Sequence, residues 1–291
     1  MTLAALTQYL ISGLTLGSVY GMIALGFTLI HNATGIVNFA QGEFVALGAL
    51  IAISTSEAGL PLPLAVVIGV AAVTMVGAAL EWGAIRPARN ASVITLIIIT
   101  VGASILLRGV AMWIWGPDAL PMRPFSGEEP IRLGHASILP QHLWIVGIAL
   151  ATMVLLWVLG EKTQAGKAMR ACAVNPGAAR LVGIPVERMV RLSFALSGLL
   201  GGLAGAIVAP LSMGQYNMGI MLGLKGFAAA ILGGMGSPTG AVLGGLLLGT
   251  LESLGAGLVS GYKDAIAFAI MLLVLLLKPT GLLGRRAQAR A

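Results

Sequence analysis

Few residues of this chain have chemistry to offer, and most of those stand in or beside apolar stretches. Asn38, Gln41 and Glu43 form the most polar cluster next to a hydrophobic run, and Glu252 lies well inside another. A carboxylate in hydrocarbon is costly unless it meets water, a cation or a partner. The first cluster therefore reads either as a gate or pore-lining group at a helix start, or as a capping cluster at the water interface. Glu252 is expected in a pore or in an inter-subunit hydrogen bond. Lys225 and Arg108 are expected to snorkel toward the outer surface, or else to neutralise a buried Glu. Ser237, Pro238 and Thr239 make a turn, and Ser237 and Thr239 gain a gating role if that turn lines a route.

Nothing here is spaced for catalysis. His135 and His142, with Glu128 and Glu129, fit no compact zinc-ligand pattern and lie in or beside a proline-rich connection. Gly166-Lys167 invites comparison with a phosphate loop, but the preceding Gly160 is one residue too far and Ala168 replaces the magnesium-binding Ser or Thr. No nucleophile has a base at a recognisable spacing. The single cysteine, Cys172, excludes an internal disulfide. No cofactor and no metal is expected on this chain.

What remains is a polar island at 161–192, EKTQAGKAMRACAVNPGAARLVGIPVERMVRL. It holds Lys162, Lys167, Arg170, Arg180, Arg188 and Arg191 against Glu161 and Glu187. Asn175 can cap a short helix that Pro176 opens and Gly183 ends, with Pro185 just beyond. Thr163 and Gly166 suggest another short helix before it. The expected shape is a compact lobe held in water, without a nucleotide site of its own, and suited to docking a soluble partner.

The elements that position these groups follow from composition. The 291 residues are 58% hydrophobic and 9% charged, with a mean hydropathy of +0.98. That is a polytopic helical membrane protein. Runs able to cross a hydrocarbon layer of about 30 Å fall near 5–30, 37–56, 62–85, 92–115, 141–160, 190–211, 220–235, 238–259 and 263–279. The expectation is thus an all-α bundle of about nine spans (eight to ten). The first run is long enough to bend or tilt, and 220–235 is short enough to be re-entrant. The runs lack the alternating polarity of a membrane barrel.

Charge sets the orientation. Arg86, Arg89, the six basic residues of the island, and Lys278, Arg285, Arg286 and Arg290 make twelve on one side, against Arg123, Arg132 and Lys263 on the other. The positive-inside rule then places the N-terminus outside, the C-terminus in the cytoplasm, the 161–192 lobe inside and the proline-rich 116–140 connection outside as a non-helical cover. The first run is too long for a cleavable signal and should stay as a membrane helix. The net charge of +7 belongs to these loops and does not point to nucleic acid. Small residues four apart (Gly13, Gly17, Gly21; Ser197, Gly201, Gly205; Gly236, Gly240, Gly244) mark helix faces in close contact. Residues 35–50 and 234–249 resemble one another faintly, each a polar turn ahead of a small-residue helix, and such paired breaks can line a substrate route.

Three blocks resemble a known family. GLTLGSVYGMIALGFTLIHNATGIVNFAQGEF at 13–44, TQAGKAMRACAVNPGAARLVGI at 163–184 and KGFAAAILGGMGSPTGAVLGGLLLGTLE at 225–252 look like the opening, the cytoplasmic coupling segment and the glycine-rich C-terminal signature of LivH-type permeases of branched-chain amino acid ABC importers. His31 and Asn32 stand where that family more often has a Tyr-Gly pair. The resemblance implies one permease domain over 1–291 in a bacterial inner membrane. It further implies a second permease (a longer LivM-type chain, or a second copy of this one), two cytoplasmic ATPases that bind ATP and magnesium, and an extracytoplasmic binding protein. It assigns coupling to Thr163, Gly166, Arg170, Asn175, Pro176, Ala178, Ala179 and Gly183. Urea and short-chain amide importers use similar permeases, so those cargoes remain open. A stand-alone ion-coupled carrier or channel is the rival from another class.

Overall fold

The computed structural model describes residues 3–133, 136–258 and 263–284. Its architecture is helical throughout, apart from one small hairpin. In order come α1 (Leu3–Thr34), α2 (Gln41–Glu57), α3 (Leu62–Leu80) with a π-helical turn at Glu81–Ile85, and α4 (Val93–Trp115). The short strands β1 (Ile131–Leu133) and β2 (Ala136–Ile138) follow, then α5 (Pro140–Lys162), α6 (Gln164–Val174), α7 (Pro176–Leu181) and α8 (Val186–Ser212). Last are α9 (Met218–Gly233), α10 (Pro238–Leu258) and α11 (Lys263–Leu277).

Every apolar run proposed from sequence falls on one of these helices, because a backbone in hydrocarbon must satisfy its own hydrogen bonds. Among the described residues, six helices are long and apolar enough to cross a membrane, those at 4–34, 62–85, 93–115, 140–162, 186–212 and 238–257. The protein is thus a multi-pass membrane protein. The first run does not bend into two elements: α1 is one helix of 32 residues, about 48 Å long at 1.5 Å per residue. α9 is continuous over 16 residues, Met218–Gly233, and Gly234 and Met235 fall in the turn after it. The described residues of 116–139 are non-helical, as expected for that connection. It carries the β1–β2 hairpin and is tied to the α8–α9 connection by paired 2.8 Å hydrogen bonds between Leu120 and Gly214.

The bundle is built on bare backbone. α1 lies along α10, where a Cβ on Gly13 would sit 2.7 Å from the Thr250 Cα and one on Gly17 2.8 Å from the Leu246 Cα. α8 is pressed against α2 and α3: a side chain at Gly205 would run into the Val45 carbonyl, and one at Gly198 would come within 2.6 Å of the Val73 carbonyl. α9 meets α10 through Gly233, Gly240 and Gly244. Without a hydrophobic driving force in lipid, such close van der Waals contact is what holds helices together. The small-residue spacing read from sequence thus marks real interfaces, with Gly236 alone lying outside a helix. The main apolar core gathers Tyr20 and Phe27 of α1, Ile145 of α5, Leu200 and Ile207 of α8, and Ala229 of α9 around these contacts.

Gly205→Leu should therefore lower the thermal midpoint of the detergent-purified protein by several degrees. That corresponds to about 1–3 kcal/mol of overpacking. Gly109→Ala, where an added Cβ meets nothing within 4 Å, should leave the midpoint unchanged.

Candidate functional site

The polar lobe is a folded body joined rigidly to the bundle. Thr163 caps α6, its side chain accepting from the Gly166 N–H at 3.1 Å, and Asn175 caps α7 by accepting from the Ala178 N–H at 3.1 Å. Pro176 occupies the first turn of α7. Gly183 ends it with φ +82°, a left-handed conformation that disfavours any residue with a Cβ. Gly166 has a different task. A side chain there would strike the Leu159 and Gly160 carbonyls, so its absence lets α6 fold back on the end of α5. Arg170 pairs with Glu161 on the surface. Cys172, Ala179 and Val186 form a small core with Ile184, Met189 and Val190. Since Val186 opens α8, lobe and helix share one interior.

Ion pairs reinforce that joint. Glu81, buried at the π-helical turn, accepts from the Arg191 Nε at 2.9 Å. One turn nearer the lobe, Glu187 receives Arg86 at 3.0 Å and also Arg89. The π turn carries its own 2.7 Å bond from the Arg86 N–H to the Glu81 carbonyl. The end of α3 is thus clamped to the start of α8. Beyond the clamp, Val174, Leu181 and Val182 are 74%, 90% and 76% exposed. Apolar side chains that exposed on a basic lobe are candidates for a contact surface.

The second candidate region starts at α2. Asn38, Gln41 and Glu43 are all buried, so this is not a capping cluster at the water interface. The Asn38 carbonyl oxygen accepts from the Ala40 N–H at 3.2 Å, while its amide nitrogen is buried without a partner. Gln41 reaches α8, donating to the Ser197 carbonyl at 3.2 Å and accepting from the Ser197 hydroxyl. Glu43 reaches α4. Its Oε1 accepts from Ser104 at 3.0 Å and from Arg108 at 2.6 and 3.1 Å, and its buried Oε2 has no partner. Glu43 and Arg108 line a cleft of about 310 Å³ between α2, α4 and α9, walled by Phe27, Phe39 and Phe227 and floored by Gly42, Gly219 and Gly223.

The remaining candidates lie elsewhere. Ser237 caps α10 by accepting from the Gly240 N–H at 3.1 Å, and Thr239 is exposed on the first turn. Asn32, at the end of α1, donates to the Gly236 carbonyl at 2.9 Å and so ties that helix to the same turn. Glu252 sits mid-helix in α10, accepting from Lys225 of α9 at 2.7 Å and from the Tyr20 hydroxyl of α1 at 2.9 Å.

The family of permease components of branched-chain amino acid transport systems matches residues 9–275. This chain belongs to that family. Among its relatives, the high-affinity branched-chain amino acid permease LivH of Escherichia coli K12 is 34% identical, the alignment covering 96% of this chain and 95% of the relative. BraD of Pseudomonas aeruginosa is 35% identical at the same coverage. Among solved structures, PsaBC from Streptococcus pneumoniae shares the fold at a TM-score of 0.52 and 16% identity, covering 94% of this chain and 92% of that one. The protein is a transport subunit and not an enzyme.

Of the two readings open for Arg108 and Lys225 in this permease, the structure shows neutralisation: each pairs with a buried carboxylate, because an ion pair inside the bundle removes two intramembrane charges at once. Glu252 is likewise satisfied within the chain by Lys225 and Tyr20. No group of His, Cys, Asp or Glu able to hold a metal occurs among the described residues; His135 lies outside them. Sequence reasoning missed Glu81, Ser104 and the exposed Leu181, and gave Arg191 no partner. A lone Glu81 in a long apolar run was the available signal.

Lys225→Met should destabilise the permease by about 3–5 kcal/mol, the usual effect of stranding one member of a buried pair. Lys225→Met with Glu252→Met should recover much of that loss, as read from thermal midpoints in detergent.

Proposed function

We propose that this chain is the membrane-spanning half of an ATP-driven importer for branched-chain or closely related amino acids in a bacterial inner membrane. The family and the names of its relatives support the cargo. The observation that carries the mechanism is the lobe: a basic body with its own core, continuous with α8 and presenting Leu181 and Val182 to solvent. ATP would be held by two partner ATPases, the sequence of the lobe offering no phosphate-loop pattern.

Nine spans fit the parity of the charge count, with α2, α9 and α11 crossing in addition to the six long helices. At 17, 16 and 15 residues they measure about 22–26 Å, short of a typical hydrocarbon thickness. Packing inside the bundle and local thinning would absorb the difference. The N-terminus and the 116–140 cover then face outward, where a binding protein delivers the ligand, and the lobe faces the cytoplasm. A second permease, LivM-type or another copy, completes the pathway.

ATP binding would draw the ATPases together against 161–192. The Glu81–Arg191 pair and the Glu187 cluster would pass that displacement to α3 and α8 as one body. Contact between these helices is backbone to backbone, so they have little freedom to slide and would rotate together. A stand-alone ion-coupled carrier would need a titratable relay in its spans. Instead Glu43, Glu81 and Glu252, the buried carboxylates among the described residues, are each held by a cation from another helix.

Leu181→Glu tests the docking role. The side chain is exposed, so the fold and thermal midpoint should persist, whereas the ATPases should no longer co-purify and ATP-driven uptake should fall at least tenfold. Retained ATPases and full uptake would contradict it.

A further inference from the structure

The cleft between α2, α4 and α9 has a polarity that packing alone does not explain. Glu43 is 2% exposed, yet only one of its carboxylate oxygens is used; Oε2 is buried without a hydrogen-bond partner. Arg108 spends its Nε and Nη2 on Glu43 and Ser104, and its Nη1 makes no hydrogen bond among the described residues. The cleft is therefore lined by a carboxylate with an acceptor to spare and a guanidinium with a donor to spare. A buried acceptor left without a partner is costly, and a native structure keeps one where something else is to fill it.

The rest of the cleft is apolar and shaped. Phe227 packs against Phe27 and Phe39 at ring-centroid separations of 5.6 and 5.8 Å, giving an aromatic wall. α2 and α9 meet at Gly42 and Gly219, where a Cβ on either would strike the other's carbonyl, so the floor is bare backbone. At about 310 Å³ the space is at the lower end of small-ligand pockets, which run from roughly 300 to 1,000 Å³. Arg108 is partly exposed, at 29% of its side chain. A guanidinium open to lipid at this depth is expensive, so this face belongs against a water-filled route or a second subunit.

We infer that this cleft is a binding site for a transported amino acid, Glu43 receiving its ammonium group, Arg108 its carboxylate and the phenylalanine wall its aliphatic side chain. The inference rests on the amino-acid importer reading and sharpens it. A zwitterion with an apolar tail uses every feature of the cleft, while urea or a short amide leaves the charges unanswered. Charged acceptors also bind charged ligand groups more strongly than neutral ones.

The test uses the assembled transporter, with its ATPases and binding protein, reconstituted in liposomes and given radiolabelled leucine and, separately, the photoreactive analogue photo-leucine. Glu43→Gln keeps an acceptor for Ser104 and Arg108 but removes the charge. Ile105→Trp fills the cleft from a lining position that is 63% exposed and leaves both charges of the pair in place. Both variants should retain co-purifying ATPases and lose at least tenfold in leucine uptake. Photo-leucine should attach during turnover to Phe27, Ile105 or Phe227, and this attachment should vanish in both variants. If Glu43→Gln fails to assemble, Ile105→Trp alone decides. Leucine uptake that survives cleft filling, or photo-labelling confined to other helices, overturns the site while leaving the importer intact. A wild-type complex that takes up urea or amides but no leucine overturns both.

Discussion

A charge inside hydrocarbon must be neutralised by a neighbour or carried to water, and the rest of this molecule is arranged around that requirement. Glu43 takes Arg108, Glu81 takes Arg191 and Glu252 takes Lys225. Each pair joins two different helices: α2 to α4, the end of α3 to α8, and α10 to α9. Because a stranded charge is so costly, every pair also specifies which helices are neighbours and at what height. Five of the basic residues left without an intramembrane partner collect in 161–192, and Arg86 and Arg89 lie beside them on Glu187.

Tight packing converts that arrangement into something that can transmit force. Where α1 meets α10 and α8 meets α2 and α3, glycines remove the side chains that would otherwise keep the backbones apart. Closely packed interiors transmit strain and do not absorb it. The lobe shares Val186 with α8, and Glu187 and Arg191 fix the first turns of that helix to the end of α3. A push on α7 thus has a short, stiff route into the bundle. By contrast, the polar cleft beside α4 sits where packing is open, with Ile105 and Ile220 exposed at its rim.

Local features were legible in the sequence because local physics decides them. Thr163, Asn175 and Gly183 behave as their types and spacing demand, and each apolar run became a helix since lipid permits little else. The four-residue rhythm of small side chains marked the true interfaces. Pairings across the fold were not legible. Arg108 and Glu43 are 65 residues apart in sequence and Lys225 and Glu252 are 27 apart, and hydropathy measures depth without naming a neighbour. That is why the sequence left snorkelling and neutralisation both open for Arg108 and Lys225. The aromatic wall was hidden for the same reason, since Phe27, Phe39 and Phe227 come from different parts of the chain. Leu181 passed unnoticed because an apolar residue in a helix ordinarily points inward.

The claim everything else leans on is that the cationic lobe lies in the cytoplasm. Cys172 is a poor reporter, being buried with its thiol pushed up by that burial, against the pull of Arg180; the thiolate that reacts with maleimide is then scarce. Leu181→Cys in a Cys172→Ala background puts a fully accessible thiol at the tip. A membrane-impermeant maleimide should leave it untouched in intact spheroplasts and label it in inverted vesicles. Labelling of intact spheroplasts would place the lobe outside and contradict the account.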